Sequence, residues 1–300
     1  MEQISEKQNY KIGMICALSC AALWGVLPIY WHMLRPIDSM VIIFYRIFLV
    51  GVTTFVISFK IYGKEKLLAP LKQKGLLTTF IIAGILITAN WSIYIWAVNA
   101  DYVIQTCIGY YIEPLMVCVF GVILFKEKLN RYKMAALTLA LIGVLVILIH
   151  FKEVPLIALS LAFTFATYAA IKKKYNMEAL ITLFYETVFL TPFALALIIY
   201  YEATGKGALS VAEPYQLVLL AFVGILTATP LALFAMGANR ISMVSLGITE
   251  YISPSLSLII GIFLFKEPFD IVQFIAFAII WVGLIYFTYG EIKESKNGEQ

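Results

Sequence analysis

Residues 109–128 read GYYIEPLMVCVFGVILFKEK, and residues 249–268 read TEYISPSLSLIIGIFLFKEP. The two stretches align without a gap when residue 109 is placed over residue 249. Between residues 97 and 127 the same register gives ten identities in 31 positions, whereas an apolar-biased chance match would give roughly three. Shared apolar composition does not explain a proline, a glycine and a Lys-Glu pair that recur in one register. We therefore interpret the chain as two related halves.

The composition places both halves in a membrane. Of the 300 residues, 62% are hydrophobic and 13% are charged, whereas a soluble domain is about half apolar and a quarter charged. A membrane-spanning helix needs about 20 apolar residues. The sequence therefore predicts an all-α integral membrane protein with ten transmembrane helices. The predicted spans are 12–32, 39–59, 76–98, 103–125, 133–150, 154–171, 179–201, 216–236, 243–265 and 271–289.

Each copy of the internal repeat contains five of these spans. Because five is an odd number, the second copy must enter the membrane from the side opposite to the first. We predict a first five-helix repeat at 12–150 and a second, inverted repeat at 154–289, flanked by an N-terminal segment at 1–11 and a tail at 290–300. Inverted repeats are a transporter design, because the two halves can exchange conformations and expose one central site to either side.

Lys and Arg residues are unevenly divided between the two sides of the predicted bundle. With the N-terminus inside, seventeen of them fall on inner segments, and the outer loops hold only Arg35, Lys152, Lys206 and Lys266. Positive charge is enriched on the cytoplasmic side of membrane proteins. We therefore predict a multi-pass protein of the cell membrane whose N- and C-termini are both cytoplasmic.

Four ionisable residues stand deep inside predicted spans: Arg46, Glu113, Glu186 and Glu250. A charge in hydrocarbon costs roughly 3 kcal/mol or more, so such residues usually serve a function. Arg46 and Glu186 are mates in the repeat, since FYR at 44–46 becomes FYE at 184–186. We expect them to face a central cavity, as partners or as opposite poles for a zwitterionic or anionic solute. The alternative is a structural ion pair that only joins the two halves.

Glu113 and Glu250 lie one and four residues before the helix prolines Pro114 and Pro254. Proline leaves a backbone carbonyl without its helical partner and can kink the helix. A carboxyl group beside a kink can take up or release a proton as its burial changes. We therefore predict that these residues couple proton movement to transport. The alternative is a neutral or hydrogen-bonded carboxyl group within the helix packing.

Aromatic and amide side chains accompany these charges. Asn90 and Tyr94 share one face of the third span, with Trp91 beside it. An asparagine in hydrocarbon must hydrogen-bond to another helix or to a ligand. We predict that these three residues line a cavity suited to an amphipathic solute, with aromatic residues of other spans: Trp24, Tyr110, Tyr111 and Tyr251. Packing between helices is the alternative for each aromatic side chain.

Several stretches of the chain resemble one known family: LWGVLPIYW at 23–31, NWSIYIWAVNA at 90–100, GYYIEPL at 109–115, LAFTFATYAAIKKK at 161–174 and GITEYISPSL at 247–256. They look like the RarD family of EamA-type proteins, which belongs to the drug/metabolite transporter superfamily and whose members are called chloramphenicol-sensitive proteins. The resemblance covers nearly the whole chain and implies ten helices in two inverted repeats and the export of small molecules. In the family pattern an Asn often stands where Glu113 does and a Gln where Glu250 does, so a mechanism based on these carboxyl groups would be particular to this chain.

The predicted function is secondary-active transport, in which a small polar or amphipathic metabolite or drug is exported by alternating access. The alternative is a membrane sensor or assembly partner without transport of its own. We predict no enzyme, because GxSxG and HExxH motifs and clustered catalytic residues are absent. No cofactor, no metal site and no nucleic-acid partner are expected. The expected partners are a small-molecule substrate, the lipid bilayer and a coupling proton, and a homodimer is left open.

Overall fold

The computed structural model describes residues 6–73, 75–99, 103–152, 156–175, 177–266 and 270–297, and the regular structure within these ranges is helical throughout. Parts of the predicted terminal segments, residues 1–5 and 298–300, lie outside the described residues. The helices are α1 (Glu6–Met33), α2 (Ser39–Leu68, followed by a 3-10 turn at Ala69–Lys72), α3 (Leu76–Asn99), α4 (Val103–Phe125), α5 (Arg131–Phe151), α6 (Leu156–Lys174), α7 (Ala179–Thr187), α8 (Thr191–Ala203), α9 (Ala208–Val211), α10 (Pro214–Ala238), α11 (Met243–Glu250), α12 (Ile252–Phe263) and α13 (Ile271–Asn297).

Most of these helices are long and apolar enough to cross a membrane. Among the described residues, eight segments meet this criterion, and one of them, Met243–Phe263, combines α11 and α12. The pair formed by α7 and the segment Thr191–Val211 meets it with a bend of 54°, and Ile108–Leu124 of α4 is a shorter apolar helix. The predicted all-helical fold is confirmed for the described residues, and the apolar helices fit a protein that crosses the membrane many times.

The structure differs from the predicted spans at two interruptions. The span predicted at 179–201 is broken at residues 188–190, and the span predicted at 243–265 is broken at Tyr251. In each case a proline, Pro192 or Pro254, stands in the first turn of the following helix, where its lack of a backbone N–H removes no helical hydrogen bond. An apolar-length criterion does not detect such breaks, because the side chains on both sides of each break remain apolar.

Contacts between helix ends define two ends of the bundle. Tyr10 near the start of α1 donates a hydrogen bond to Glu291 near the end of α13, so both termini of the described chain lie at one end, which we call the terminal end. Gln216 at the start of α10 donates to the backbone carbonyl of Met33 at the end of α1, over 3.0 Å. This contact marks the opposite end, which we call the distal end.

The first five helices pack mainly against the later ones. Extensive contacts join α4 to α6, α5 to α13, α1 to α10 and α12, and α2 to α7, α8 and α10. The largest buried cluster accordingly takes residues from both halves, among them Ile87, Val117, Phe165 and Phe234. The apolar core of the bundle is therefore shared between the two halves.

α5 and α13 cross at two glycines, Gly143 and Gly283, that are mates in the repeat. A Cβ atom at Gly143 would lie 2.9 Å from the backbone oxygen of Ala276, and a Cβ atom at Gly283 would lie 3.2 Å from that of Ala136. Ala136 and Ala276 are mates in the same register, so the contact is reciprocal. Small residues allow helices to approach this closely in a membrane.

The two glycines should respond differently to alanine. A Cβ atom at Gly143 would also lie 2.7 Å from the Ile280 side chain, so we expect Gly143→Ala to lower the free energy of unfolding by about 1–2 kcal/mol through overpacking. Gly283→Ala should change it by less than about 0.5 kcal/mol, because alanine is the better helix former and the nearest atom is farther away. Thermal unfolding in detergent, followed by tryptophan fluorescence, measures both effects. A larger loss of unfolding free energy for Gly283→Ala than for Gly143→Ala would contradict the described geometry of the crossing.

Candidate functional site

Arg46 lies in α2, about two turns after the helix begins at the distal end. Its guanidinium carbon is 3.8 Å from the ring centroid of Trp91 and 5.3 Å from that of Trp31. The Nε atom is buried without a hydrogen-bond partner, and no carboxylate in the described ranges forms an ion pair with Arg46. A cation above an aromatic ring gains about 0.5–2 kcal/mol, which is less than a charge in hydrocarbon costs. The Nε–H of Arg46 is therefore a hydrogen-bond donor that the described residues do not use.

Two tyrosines extend the surroundings of Arg46. The rings of Tyr94 and Tyr110 meet edge to face, with 5.7 Å between centroids. Tyr110 is close enough to Arg46 for an electrostatic interaction, and it is 44% exposed. We call Trp31, Arg46, Trp91, Tyr94 and Tyr110 the arginine cluster. All five are at least partly exposed, so the cluster is not sealed inside the protein.

Glu113 and Glu250 meet where α4 crosses α11. The crossing is close, since a Cβ atom at Gly247 would lie 2.7 Å from the backbone oxygen of Pro114. The two carboxyl groups interact electrostatically, and the Oε1 atom of Glu250 is buried without a hydrogen-bond partner. We call Glu113 and Glu250 the carboxyl pair. Two carboxyl groups in such a place are suited to hold a proton, and Glu113 lies one turn from Tyr110 of the arginine cluster.

Tyr111 and Tyr251 are repeat mates that contact each other. The Tyr251 hydroxyl donates to the backbone oxygen of Tyr111 over 3.0 Å, and the Tyr111 ring packs edge to face on Phe277 at 4.8 Å between centroids. Both tyrosines are buried. The structure thus places them in helix packing, which is the alternative to the predicted cavity wall.

Trp24 and Asn90 also lie in helix packing. The Trp24 ring contacts Phe165 and Phe234, with centroid distances of 5.7 and 5.6 Å. The Asn90 side chain donates to the backbone oxygen of Leu161 in α6 over 2.8 Å. The predicted hydrogen bond of Asn90 is therefore made to another helix. Of the amide and aromatic residues that we predicted as cavity lining, the structure brings Trp91, Tyr94 and Tyr110 together around Arg46.

Glu186 is paired with Lys172 and not with Arg46. The Lys172 ammonium donates to Glu186 and, over 2.8 Å, to the Thr182 hydroxyl. The Tyr168 hydroxyl donates to the second oxygen of Glu186 over 3.2 Å. Lys172 and Glu186 are 5% and 1% exposed. The predicted alternative of an ion pair between Arg46 and Glu186 is therefore wrong. We call the group formed by Tyr168, Lys172, Thr182 and Glu186 the lysine site.

Lys172 was not predicted as a site residue. It follows the end of a predicted span, so it was counted among the positive charges of an inner segment. α6 continues to Lys174, which places Lys172 one turn after Tyr168 on the same helix face. Lys173 takes a different direction and donates to the backbone oxygen of Ile241. The spacing of four residues between a buried tyrosine and a lysine is the signal that could have identified the lysine site.

Hydrogen bonds and an ion pair join the two halves at the terminal end. The Glu127 carboxylate accepts hydrogen bonds from the backbone N–H groups of Met243 (2.7 Å) and Val244 (2.9 Å) at the start of α11. A helix N-terminus stabilises negative charge. Lys133 and Glu291 form an ion pair at 3.5 Å, which joins the start of α5 to the end of α13.

Charged and polar groups enclosed by apolar helices are typical of proteins that move solutes or ions across membranes. The sequence matches the EamA-like transporter family over residues 11–149 and again over residues 154–289. The chain belongs to this family.

Named relatives agree with this membership and with the resemblance to RarD. The chain is 35% identical to "Uncharacterized transporter YojE" of Bacillus subtilis (strain 168), over 94% of this chain and 95% of that protein. It is 32% identical to "Protein RarD" of Escherichia coli (strain K12), over 93% and 95%, and 31% identical to "Protein RarD" of Streptomyces exfoliatus, over 97% and 92%. A solved crystal structure has a similar fold, with a TM-score of 0.71 and 15% identity, over 92% of this chain and 97% of that one.

Removing Lys172 should destabilise the protein strongly. We expect Lys172→Met to cost about 3–5 kcal/mol, because Glu186 stays buried without its cation. The double variant Lys172→Met/Glu186→Gln should recover most of this loss, since it leaves no buried charge at the site. Thermal unfolding in detergent measures both variants, and Lys174→Met, at an exposed position of the same helix, is the control. A Lys172→Met protein as stable as Lys174→Met would refute the buried pair.

Proposed function

We propose that the protein is a secondary-active transporter that carries a small polar or amphipathic solute through the centre of the helix bundle by alternating access. The observation that carries this proposal is the polar interior. The arginine cluster and the carboxyl pair lie within apolar helices, although Arg46 Nε and Glu250 Oε1 find no hydrogen-bond partner in the described part of the chain. Buried polar groups that the protein does not satisfy are costly, and a transported solute and a proton can satisfy them.

We further propose ten membrane crossings in two inverted repeats. α7 with α8 forms one crossing in this arrangement, and α11 with α12 forms another. Contacts between helices support the relation between the halves, because they persist when each helix is exchanged for its repeat mate. The contact of α3 with α6 corresponds to that of α10 with α1, and the contact of α4 with α6 corresponds to that of α12 with α1. A two-fold axis between the halves produces such an exchange, and the reciprocal glycine crossing of α5 and α13 fits the same axis.

The two ends of the bundle support an assignment of the conformational state. At the terminal end the lysine site is buried, and Glu127 binds the start of α11. The arginine cluster lies toward the distal end and is partly exposed. The charge bias of the loops favours a cytoplasmic location for the terminal end. We therefore infer a state that is closed toward the cytoplasm and open toward the outside of the cell.

We assign the coupling proton to the carboxyl pair. Two neighbouring carboxylates in a low-dielectric interior repel each other, and one shared proton removes this repulsion. The pair adjoins the arginine cluster along α4, so solute binding and proton binding influence each other. A proton that enters from outside would then drive the export of the solute.

Reconstituted vesicles test this function directly. The purified protein is placed in vesicles loaded with a metabolite mixture, with and without a pH gradient, and the contents are analysed by mass spectrometry. We expect some metabolites to leave faster with the gradient. Glu113→Gln and Glu250→Gln should remove the response to the gradient but keep solute exchange at zero gradient, because exchange needs no net proton movement.

Vesicles without protein are the control for leakage. If folded protein moves nothing under either condition, the alternative of a sensor or assembly partner replaces transport. If Glu113→Gln and Glu250→Gln respond to the gradient as the native protein does, the carboxyl pair is not the proton carrier.

The hydrogen bonds of Glu127 should control opening of the terminal end. Cys118 is fully buried beneath α11, where its thiol donates to the backbone oxygen of Val244 over 3.4 Å. Glu127→Gln weakens two charge-assisted hydrogen bonds, and we expect the two together to lose about 1–2 kcal/mol of stabilisation. We therefore expect Cys118 to react about five- to thirtyfold faster with a maleimide, in protein whose other cysteines are changed to alanine.

Glu65→Gln is the matched control for this experiment, because Glu65 is exposed near the end of α2, at the same end of the bundle. It should change the labelling rate of Cys118 less than Glu127→Gln does. Labelling of Glu127→Gln at the native rate would show that Glu127 does not hold the terminal end closed.

A further inference from the structure

We propose that the arginine cluster binds the carboxylate of an organic anion whose remaining part is apolar. This inference rests on the proposed transport function and names the chemical class of the solute. It is carried by the charge, the geometry and the aromatic surroundings of Arg46.

The charge argument compares the arginine cluster with the lysine site. Arg46 and Glu186 are repeat mates, and each lies seven residues after the start of its helix. At the lysine site the protein supplies both charges, because Lys172 neutralises Glu186. At the arginine cluster the described residues supply a cation and no carboxylate within ion-pair distance. A bound anion would neutralise Arg46 as Lys172 neutralises Glu186.

The geometry favours a carboxylate. The Trp91 ring stacks on the guanidinium of Arg46 at 3.8 Å, which occupies one face of the planar group. The Nε atom of Arg46 has no hydrogen-bond partner among the described residues. Two parallel N–H donors match the two oxygens of a carboxylate, and an ammonium group cannot reproduce this fork. The stacked ring also restricts the rotation of the guanidinium, so its direction is set before the anion arrives.

The walls of the cluster favour an apolar body beside the carboxylate. Trp31, Trp91, Tyr94 and Tyr110 offer large, rigid ring surfaces with few polar atoms. A small inorganic anion would leave these surfaces in water. A cation would meet the positive charge of Arg46, and a neutral solute would leave that charge without compensation. An organic carboxylate satisfies both parts of the cluster.

Ligand binding can be followed by the fluorescence of Trp31 and Trp91, which adjoin Arg46. Three probes of similar shape differ in charge: cyclohexanecarboxylate, cyclohexanecarboxamide and cyclohexylmethylammonium. With purified protein in lipid nanodiscs, we expect cyclohexanecarboxylate to bind at least tenfold more tightly than the amide, and the ammonium compound to bind most weakly. Cyclohexanecarboxylate should also raise the thermal midpoint of the native protein.

Variants of Arg46 assign this binding to the arginine cluster. Arg46→Gln should weaken carboxylate binding at least tenfold and remove the preference over the amide. Its thermal midpoint without ligand should equal or exceed that of the native protein, because an uncompensated buried charge is gone. Arg46→Lys should retain part of the preference, since it keeps the charge but loses the fork. Lys206→Gln, in an exposed loop position, should bind like the native protein.

The outcomes separate this inference from the transport proposal. Equal affinity for carboxylate and amide, or native carboxylate binding by Arg46→Gln, overturns the anion site. Counterflow of cyclohexanecarboxylate into vesicles is measured in parallel. Arg46-dependent binding without counterflow keeps the anion site and contradicts transport. Counterflow of the amide or the ammonium compound without Arg46-dependent binding keeps transport and overturns the anion site.

Discussion

The interior of a bilayer contains no water to solvate a charge, so every ionised group there needs a counter-charge, a hydrogen-bond partner or a proton. The protein meets this constraint in three ways. Glu186 receives Lys172 from the neighbouring helix α6. Glu113 and Glu250 have each other, an arrangement that one proton can stabilise. Arg46 lies beside the rings of Trp31 and Trp91 and has no described carboxylate within ion-pair distance, and the proposed organic anion would supply its counter-charge.

The backbone of the second half places its charges differently from that of the first. Arg46 and Glu113 stand in the interior of the long helices α2 and α4, whereas Glu186 and Glu250 stand at the ends of the short helices α7 and α11. Discontinuous helices are common around the binding sites of transporters, because a break can move without unfolding the whole segment. Glycines allow close packing beside both breaks: Gly84 of α3 adjoins the backbone of Glu186, and Gly247 of α11 adjoins the backbone of Pro114 in α4. Helix interruptions and close glycine contacts thus accompany the buried carboxyl groups Glu186 and Glu250 of the second half.

The sequence predicted most of the helices, because a segment that is apolar over about 20 residues is expected to cross a membrane as a helix. The internal repeat identified Tyr111 and Tyr251 as mates, but it did not predict that they contact each other. The breaks in the second half were not predicted, since the residues around them are apolar. The partner of Glu186 was not predicted either, because charge counting treats a lysine at a helix end as a loop residue. The stacking of Arg46 on Trp91 depends on how α2 packs against α3, and no spacing within one helix reveals it.

The central claim is that the two ends of the bundle open in alternation, and spin-label distances test it most directly. One label pair at positions 126 and 174 reports on the terminal end, and a second pair at 35 and 266 reports on the distal end; all four native side chains are exposed. The distances are measured by double electron–electron resonance at acidic and at alkaline pH, in protein whose native cysteines are replaced. Between the two pH values, we expect the distance of one label pair to lengthen and that of the other pair to shorten. Two distances that stay constant, or that lengthen together, would contradict alternating access.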